Sequence, residues 1–453
     1  MIFAATLPQV KAFLRPAGLP ATTVGLLVRL VTAFCHHPGR MSATAAADAL
    51  RAQARHRAAV TRFLARLHWA RDWSLLASAA DLLLGAEADR GGTWLFILDQ
   101  TYCTQQGQKA ENTFCRANVR QRQKKGHRKN KRCPKRFNHG FVMGLLLTPS
   151  GLRIPCCRSY YTEAYCQAKN KSYRKQPQLA AELIRGAAVP AGARVIVVGD
   201  TAFEAQDIRD ACAERQFPRV VPSNPERVLA GPKPRPKVTS LVAGLSAEPF
   251  EAVRLVPGQG AYAARQRAAR CRVGPRAKAR ASYAHAERRA VHNGGDVLLV
   301  FSTKEQPQAG QPVLVQKVLM TNAVDLGAAG AVATYALRWQ VELFFKELKS
   351  NLGMNQYRFR QFVRVENWVQ ACLVAFVYLE WYRARQLGRR DLPGREKGWW
   401  REQRSHGVAC AVYREAEARD VAQLYRWSGT ASGHKRLRQC LARAQPPQRR
   451  KAG

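Results

Sequence analysis

Four side chains stand out chemically in the largely apolar stretch YALRWQVELFFKELK, residues 335–349. They are a phenol, a carboxylate and two cations, here called the strip: Tyr335, Arg338, Glu342 and Lys349. At 100° per residue the strip falls within an arc of roughly 60° of a helix. The apolar residues fill an arc of roughly 100° on another side: Leu337, Val341, Phe344, Phe345 and Leu348. The pattern predicts a helix that packs one face into a core and presents an acid among donors on another.

Two aspartates could join Glu342 in one site. Asp99 and Asp200 each end an apolar run that predicts a strand, TWLFILD (93–99) and ARVIVVGD (193–200). Mg²⁺ prefers such hard oxygen ligands. Two ions about 3.5–4 Å apart can activate a water or a 3′-hydroxyl and stabilise the leaving oxygen of a phosphodiester. We therefore predict Asp99, Asp200 and Glu342 as catalytic residues that bind two Mg²⁺ ions.

The remaining strip residues suit contact with a polynucleotide. Arg338 can hold phosphate with a planar fork and Lys349 as a point charge. Tyr335 can stack on a base or donate to a phosphate. Trp339 projects close to the strip, where it could wedge against DNA or pack into the core. The alternative for the strip is a solvated charged face, since Arg338 and Glu342 are four residues apart; either aspartate alone could be a cap or turn residue.

The overall charge points to an anionic partner. The 453 residues carry 74 Lys+Arg against 31 Asp+Glu, a formal charge of +43, with 46% apolar residues. Such a chain can form two or three domains with a large core, and nucleic acid is the commonest partner of so basic a protein. The longest uninterrupted apolar run, ACLVAFVYL (371–379), is too short to cross a membrane. We see no secretory signal in the first residues and expect the twelve scattered cysteines to be reduced inside the cell.

Residues 1–90 read as helical and predict a DNA-binding domain. Within 41–69, two short helices are predicted, the second at about 56–67 with an apolar stripe of Val60, Phe63, Leu64 and Leu67. Arg57, Arg62 and Arg66 lie away from that stripe. A basic second helix suggests a helix-turn-helix reader of DNA; the alternative is an ordinary helical bundle with a solvated face.

The rest of the chain predicts an α/β fold with a mixed sheet covered by helices. Strands and helices alternate over 91–225, the first part of the catalytic core. A Pro-rich, basic stretch then begins a predicted inserted subdomain, 226–295, and the core resumes over 296–385 with two apolar helices at its end. Residues 386–453 form a basic C-terminal region.

A second basic feature is the run RQRQKKGHRKNKRCPKR (120–136), with ten Lys and Arg in seventeen residues. It is too charged to pack and predicts a loop between the first two strands. Beside Asp99 this loop would add salt-sensitive affinity for the DNA backbone, and the predicted contacts are Lys124, Lys125, Arg128, Lys129, Lys131 and Arg132. The alternative is a solvated loop.

Zinc binding is not favoured by the Cys and His pattern. The possible ligands are loosely spaced and form no CxxC pair: Cys103, Cys115, His127, Cys133 and His139.

The strip also carries a family resemblance. Its spacing, Tyr335–x2–Arg338–x3–Glu342–x6–Lys349, and the flank LFFKELKSNLGMNQYR resemble bacterial cut-and-paste DDE transposases of the insertion-sequence-four type. The resemblance covers about 90–380, and Asp99 and Asp200 sit where the two aspartates of that family belong. One local departure is Gln100 after Asp99, with Cys103 close by.

The resemblance implies an RNase H-like catalytic core interrupted by a mainly β insertion between Asp200 and Glu342. It implies two Mg²⁺ or Mn²⁺ ions and a homodimer that bridges two transposon ends. It also implies that the N-terminal helices bind the terminal inverted repeats, in a bacterial cytoplasmic protein associated with the nucleoid.

We therefore predict a DNA transposase that cleaves double-stranded DNA at transposon ends and transfers the strands into target DNA. An RNase H-like nuclease that cuts without joining is one alternative. The other, from a different class, is a catalytically inactive DNA-binding regulator derived from a transposase.

Overall fold

The computed structural model describes residues 6–36, 41–49, 57–66, 71–87, 91–105, 109–115, 137–254, 281–292, 294–388, 428–432 and 434. The basic run at 120–136 lies outside these residues, as does nearly all of the predicted C-terminal region.

The N-terminal part is helical, as predicted. Its helices are α1 (Thr6–Leu14), α2 (Ala21–His36), α3 (Ala43–Ala49), α4 (Arg57–Ala65) and α5 (Ser74–Leu84). The predicted pair of short helices corresponds to α3 and α4, while the residues between them lie outside the described part of the chain. Val60, Phe63 and Leu64 of α4 are buried, as their spacing predicts. Leu67, the fourth residue of that stripe, is not described.

A mixed sheet of ten described strands forms the centre of the molecule. The strands are β1 (Trp94–Gln105), β2 (Phe114–Cys115), β3 (Phe137–Leu147), β4 (Arg153–Tyr160), β5 (Val195–Val198), β6 (Arg219–Pro222), β7 (Glu251–Arg254), β8 (Ala281–Val291), β9 (Gly295–Thr303) and β10 (Lys317–Thr321). Their order is β2-β3-β1-β5-β6-β10-β9-β8-β7, with β4 also paired to β3. Among the described strand pairs, only β1–β5 and β5–β6 are parallel. The predicted mixed α/β fold is thus confirmed.

Helices cover this sheet. They are α6 (Glu163–Lys169), α7 (Gln176–Arg185), α8 (Gln206–Glu214), α9 (Val238–Ala243), α10 (Gly327–Ala336), α11 (Trp339–Lys346) and α12 (Phe362–Leu387). Strand β5 consists of four β-branched residues, all buried. Such continuous apolar strands are typical of parallel strands covered on both faces.

Helix α12 is the central helix of the fold. It contacts α2, α4, α5 and β4, and Asn367 on it donates to the backbone carbonyl of Leu64 at 2.8 Å. By length and composition it is the one described helix that could cross a membrane, but 83% of its most apolar window is buried within the structure. Because protein surrounds it, we interpret α12 as a core helix.

The N-terminal helices and the sheet share one apolar core. Phe34 of α2 packs edge-on against Trp368 of α12, with ring centroids 4.8 Å apart, and both belong to the same buried cluster as Phe96 of β1. The helical region is therefore packed onto the α/β region through α12. Its predicted role in reading DNA stays a prediction.

The described strands of 226–295 extend the central sheet. β7 pairs with β8, and β8 pairs with β9 along nine residue pairs. A second, smaller apolar cluster lies here, including Leu229, Val238 and Phe301. The segment contains strands, as predicted, and they continue the sheet; its status as an insertion stays a prediction.

Candidate active site

The register of two parallel strands brings Asp99 and Asp200 together. Ile97 of β1 pairs with Val198, the last residue of β5. Asp99 and Asp200 each stand two residues further along, so they are neighbours at this point of the sheet. The prediction that strand β1 ends at Asp99 is wrong. The strand continues to Gln105, paired with β3. Strand β5 stops at Val198 while β1 continues. Among the described residues, β1 therefore has no strand partner beyond Ile97 on the side of β5.

Glu342 approaches from a helix that is not continuous. The sequence predicts one helix through the strip, but α10 ends at Ala336, α11 begins at Trp339 and a π-helical segment follows over Glu347–Asn351. The junction is tight, since the amide of Arg338 donates to Tyr335 and that of Val341 to Arg338, both three residues back. The regular-helix prediction is therefore wrong in detail; local hydrogen bonding tightens one turn and widens the next.

Arg338 links two of the three predicted catalytic carboxylates. Its Nη1 lies 3.2 Å from Asp99 Oδ2 and its Nη2 lies 2.7 Å from Glu342 Oε1. The solvated-face alternative fails for Arg338, whose side chain is only 17% exposed. Burial alone would lower the pKa of Arg338, but Tyr335, Asp99 and Glu342 outweigh it and raise that pKa. The guanidinium is thus held charged between the two acids.

Asp99 is the electrostatic centre of the site. Burial, together with the charges of Asp200 and Glu342, raises its pKa to about 6, against the opposing effects of a hydrogen bond from the Gln100 amide and the charge of Arg338. Asp200 caps a short 3-10 helix, where its Oδ1 accepts from the Ala202 amide at 2.9 Å. Carboxylates gathered in this way are the donor type that holds a divalent cation.

Tyr335 is in contact with a cation, Lys317, that the sequence analysis did not predict. Lys317 of β10 places its Nζ 4.5 Å from the centre of the Tyr335 ring and 3.4 Å from the hydroxyl. Burial, and then the charge of Arg338, lower the pKa of Lys317. A signal was present, because Lys317 is the only charged residue in the apolar stretch VLVQKVLM.

Lys349 is within electrostatic range of Asp99 and Cys103. Burial lowers the pKa of Lys349, while Cys103 and Asp99 act in the opposite direction. Cys103 is four residues from Asp99 on the same face of β1. The part-buried ammonium of Lys349 therefore stands beside the carboxylate site, as the strip predicts.

The donors fit Mg²⁺ in type. Asp99, Asp200 and Glu342 offer carboxylate oxygens, which this ion prefers; burial is the main cause of the raised pKa of Asp99, and the charges of Asp200 and Glu342 add to it. Among the described residues, no three Asp, Glu, His or Cys side chains lie close enough to enclose one ion. In this arrangement Arg338 stands between Asp99 and Glu342 and supplies the positive charge. Ligation by all three acids requires Arg338 to move aside.

The zinc possibility is not supported at His139. Its two ring nitrogens lie 2.8 Å from the Tyr357 hydroxyl and 2.9 Å from the Glu111 carbonyl. Burial lowers the pKa of His139 to about 4, so it is neutral. His127 and Cys133 lie outside the described residues.

The other predicted DNA contacts are only partly described. Arg62 and Arg66 are exposed and line a cavity of about 400 Å³ between α2 and α4, together with Arg29. Trp339 is half-buried. Outside the described residues lie the Arg57 side chain and the six predicted contacts of the basic run: Lys124, Lys125, Arg128, Lys129, Lys131 and Arg132.

A larger basic cleft was not predicted. It holds about 640 Å³ and is lined by Ser42, Ala43, Thr44, Thr61, Gln356, Arg358, Phe359, Arg360 and Arg364. It lies where the N-terminal helices meet the segment that follows Lys349. The alternation in QYRFRQF could have indicated it, because Tyr357 and Phe359 are buried while Arg358 and Arg360 are exposed.

The fold and the site together define a mixed α/β protein with three acidic residues and several cations beside the central β1–β5 strand pair of its sheet. A family model described as a transposase DDE domain matches residues 90–378, which is more than half of the chain. The chain therefore belongs to the transposase DDE-domain family, which supports a transposase function acting on DNA. The match includes both aspartates and the whole strip. No curated protein matches the chain.

Proposed function

We propose that the chain is a DNA transposase of the insertion-sequence-four type, which cleaves DNA at transposon ends and transfers the strands into target DNA. The observation that carries this proposal is the register that places Asp99 beside Asp200, with Arg338 joining Asp99 to Glu342. The mixed sheet, with its acids beside the β1–β5 strand pair, is compatible with an RNase H-like core. We propose a bacterial cytoplasmic location at the nucleoid, where the DNA substrate is found.

In the proposed mechanism Asp99, Asp200 and Glu342 would hold two Mg²⁺ ions, for which Mn²⁺ could substitute. When bound, such ions would supply activation of a water or a 3′-hydroxyl and stabilisation of a leaving oxygen. Arg338 compensates the acids before the ions bind and can then donate its planar fork to a phosphate. Lys349 and Lys317 flank the scissile region as further positive charges, while Tyr335 offers a ring or a hydroxyl to the DNA.

The two basic clefts supply a binding surface for DNA away from the reacting bond. Arg358, Arg360 and Arg364 face hydroxyl groups of the N-terminal helices across the larger cleft. Arginine and hydroxyl side chains are typical partners of the phosphate backbone. We propose that transposon-end DNA passes along this cleft, and that two copies of the chain form a dimer that joins two ends.

The test is a joining assay on the element's own ends. Pre-cut ends with free 3′-hydroxyls are incubated with a supercoiled plasmid, Mg²⁺ and either the wild type or Glu342→Gln. We expect joined products with the wild type and none with the variant, although the variant keeps its affinity for the DNA. Nicking of the plasmid without joining would indicate the nuclease alternative, and DNA binding without either reaction would indicate the regulator.

A further inference from the structure

Lys349 lies in an irregular part of its helix. The π-helical segment runs over Glu347–Asn351, where the amide of Leu352 donates to the carbonyl of Glu347, five residues back, at 3.0 Å. This wider turn adds one residue relative to an α-helix. Lys349 is electrostatically coupled to Asp99 and Cys103, and its position on the helix depends on where the wide turn begins, which is Glu347.

The side chain of Glu347 is held by a buried ionic cluster. Arg153 of β4 places its Nη1 2.9 Å from Glu347 Oε2 and its Nη2 2.6 Å from Glu380 Oε1. Arg383 completes the cluster at 2.6 Å from the other oxygen of Glu380. The Arg153 and Glu380 side chains are fully buried, and that of Glu347 is 9% exposed. The guanidinium of Arg153 also lies 5.0 Å from the centre of the Phe376 ring.

Such a cluster is a costly way to stabilise a core. Desolvation of buried charges offsets most of their attraction, so apolar residues of equal volume often serve stability as well or better. The cluster does fix geometry, because it ties the first residue of the wide turn to a central strand and to α12. Removing Glu347 would take away the ion pair that joins Arg153 to this turn.

We propose that Arg153 and Glu347 are positioning residues that hold the π-helical turn in the register that places Lys349 beside Asp99. This role extends the proposed function, on which its catalytic consequence rests. Neither residue touches the reacting atoms, and both act through Lys349.

The first test measures the placement of Lys349 without requiring activity. Amine labelling with acetic anhydride, followed by mass spectrometry, compares Lys349 with the exposed Lys346 in the same chain. In Glu347→Gln we expect the labelling of Lys349 relative to Lys346 to rise about threefold or more, because the turn opens locally. The matched control is Arg383→Gln, which breaks the same buried cluster on the side away from the turn and should leave the ratio unchanged.

The second test is a double-mutant cycle on end cleavage. Glu347→Gln should lower the cleavage rate at saturating DNA about tenfold in the wild type, a typical coupling for interacting residues. In Lys349→Gln it should have almost no effect, because there is no ammonium left to position. Should Glu347→Gln not fold, Arg153→Lys is the second variant, since it keeps the charge and loses the fork geometry.

An equal loss in both backgrounds, or an equal rise in labelling in Arg383→Gln, would overturn the proposal. If the wild type itself does not cleave, the proposed function fails, and the labelling ratio alone decides whether the ion pair positions Lys349.

Discussion

At the scale of single residues, the site is a balance of charges around Asp99. Arg338 compensates Asp99 and Glu342, and Lys349 is within electrostatic range of Asp99. Even so, the pKa of Asp99 is raised to about 6 by burial together with Asp200 and Glu342. The free protein therefore carries an acid that is unfavourably ionised at neutral pH, as expected where binding of a metal ion supplies the missing charge.

This balance predicts a pH-dependent stability. Asp99 binds its proton more tightly in the folded state than in the unfolded state, where its pKa is near the ordinary 3.8. The folded state therefore loses stability as pH rises from about 4 to about 6, by on the order of 3 kcal/mol above that window. Asp99→Asn should remove this loss and raise the free energy of unfolding at pH 7, but not at pH 3.5.

The measurement is denaturant unfolding without divalent ions at both pH values. Asp296→Asn serves as control, because its side chain is 60% exposed on β9. A variant Asp99→Asn that is less stable than the wild type at pH 7 would contradict the prediction.

At the scale of elements, sequence patterns predicted the strands and helices well where apolar periodicity is strong. TWLFILD and ARVIVVGD became β1 and β5, and the apolar helix predicted over 365–387 became α12, which begins three residues earlier. They failed where hydrogen bonding departs from regular geometry, as in the junction before Trp339 and the π-helical turn at Glu347. The six further residues of β1 were missed because they are polar, and pairing with β3 holds them in the sheet.

The turn after β5 is an element that tolerates little change. A Cβ at Gly199 would lie 2.8 Å from the Cβ of Phe203, so Gly199→Ala must shift the short helix that Asp200 caps. We expect a loss of about 1–3 kcal/mol in the free energy of unfolding and a lower cleavage rate per folded molecule. Gly25→Ala in α2 is the control, since its Cβ meets nothing within 4 Å and should be neutral or stabilising. Unchanged stability and cleavage in Gly199→Ala would show that Asp200 does not depend on this turn.

At the scale of the whole molecule, the net charge of +43 predicted a polyanionic partner but not where it binds. The larger basic cleft combines residues more than 300 positions apart, Ser42 and Arg364 among them. A local sequence pattern cannot predict that these residues are close, because the packing of the N-terminal helices on α12 brings them together. The family match likewise covers the α/β region and not the helices of the first 87 residues.

The cleft predicts a change in the salt dependence of DNA binding. Each phosphate contact adds about 0.9 to the slope of log affinity against log salt. Replacing Arg358, Arg360 and Arg364 together by Gln should therefore lower this slope by up to about 3. A triple Gln variant of the exposed Arg185, Arg194 and Arg288 removes the same charge elsewhere and should change the slope little. Equal effects of the two variants would mean that net charge matters and the cleft does not.

The most direct measurement of the central claim is Mg²⁺-dependent cleavage of DNA that carries the element's own ends. It compares the wild type with Asp99→Asn, Asp200→Asn, Glu342→Gln and the exposed control Asp296→Asn, with DNA binding measured alongside. We expect cleavage at the ends by the wild type and the control, and loss of cleavage with DNA binding retained in each of the three site variants. Cleavage that survives the loss of any one of the three carboxylates would contradict their assignment as one catalytic site.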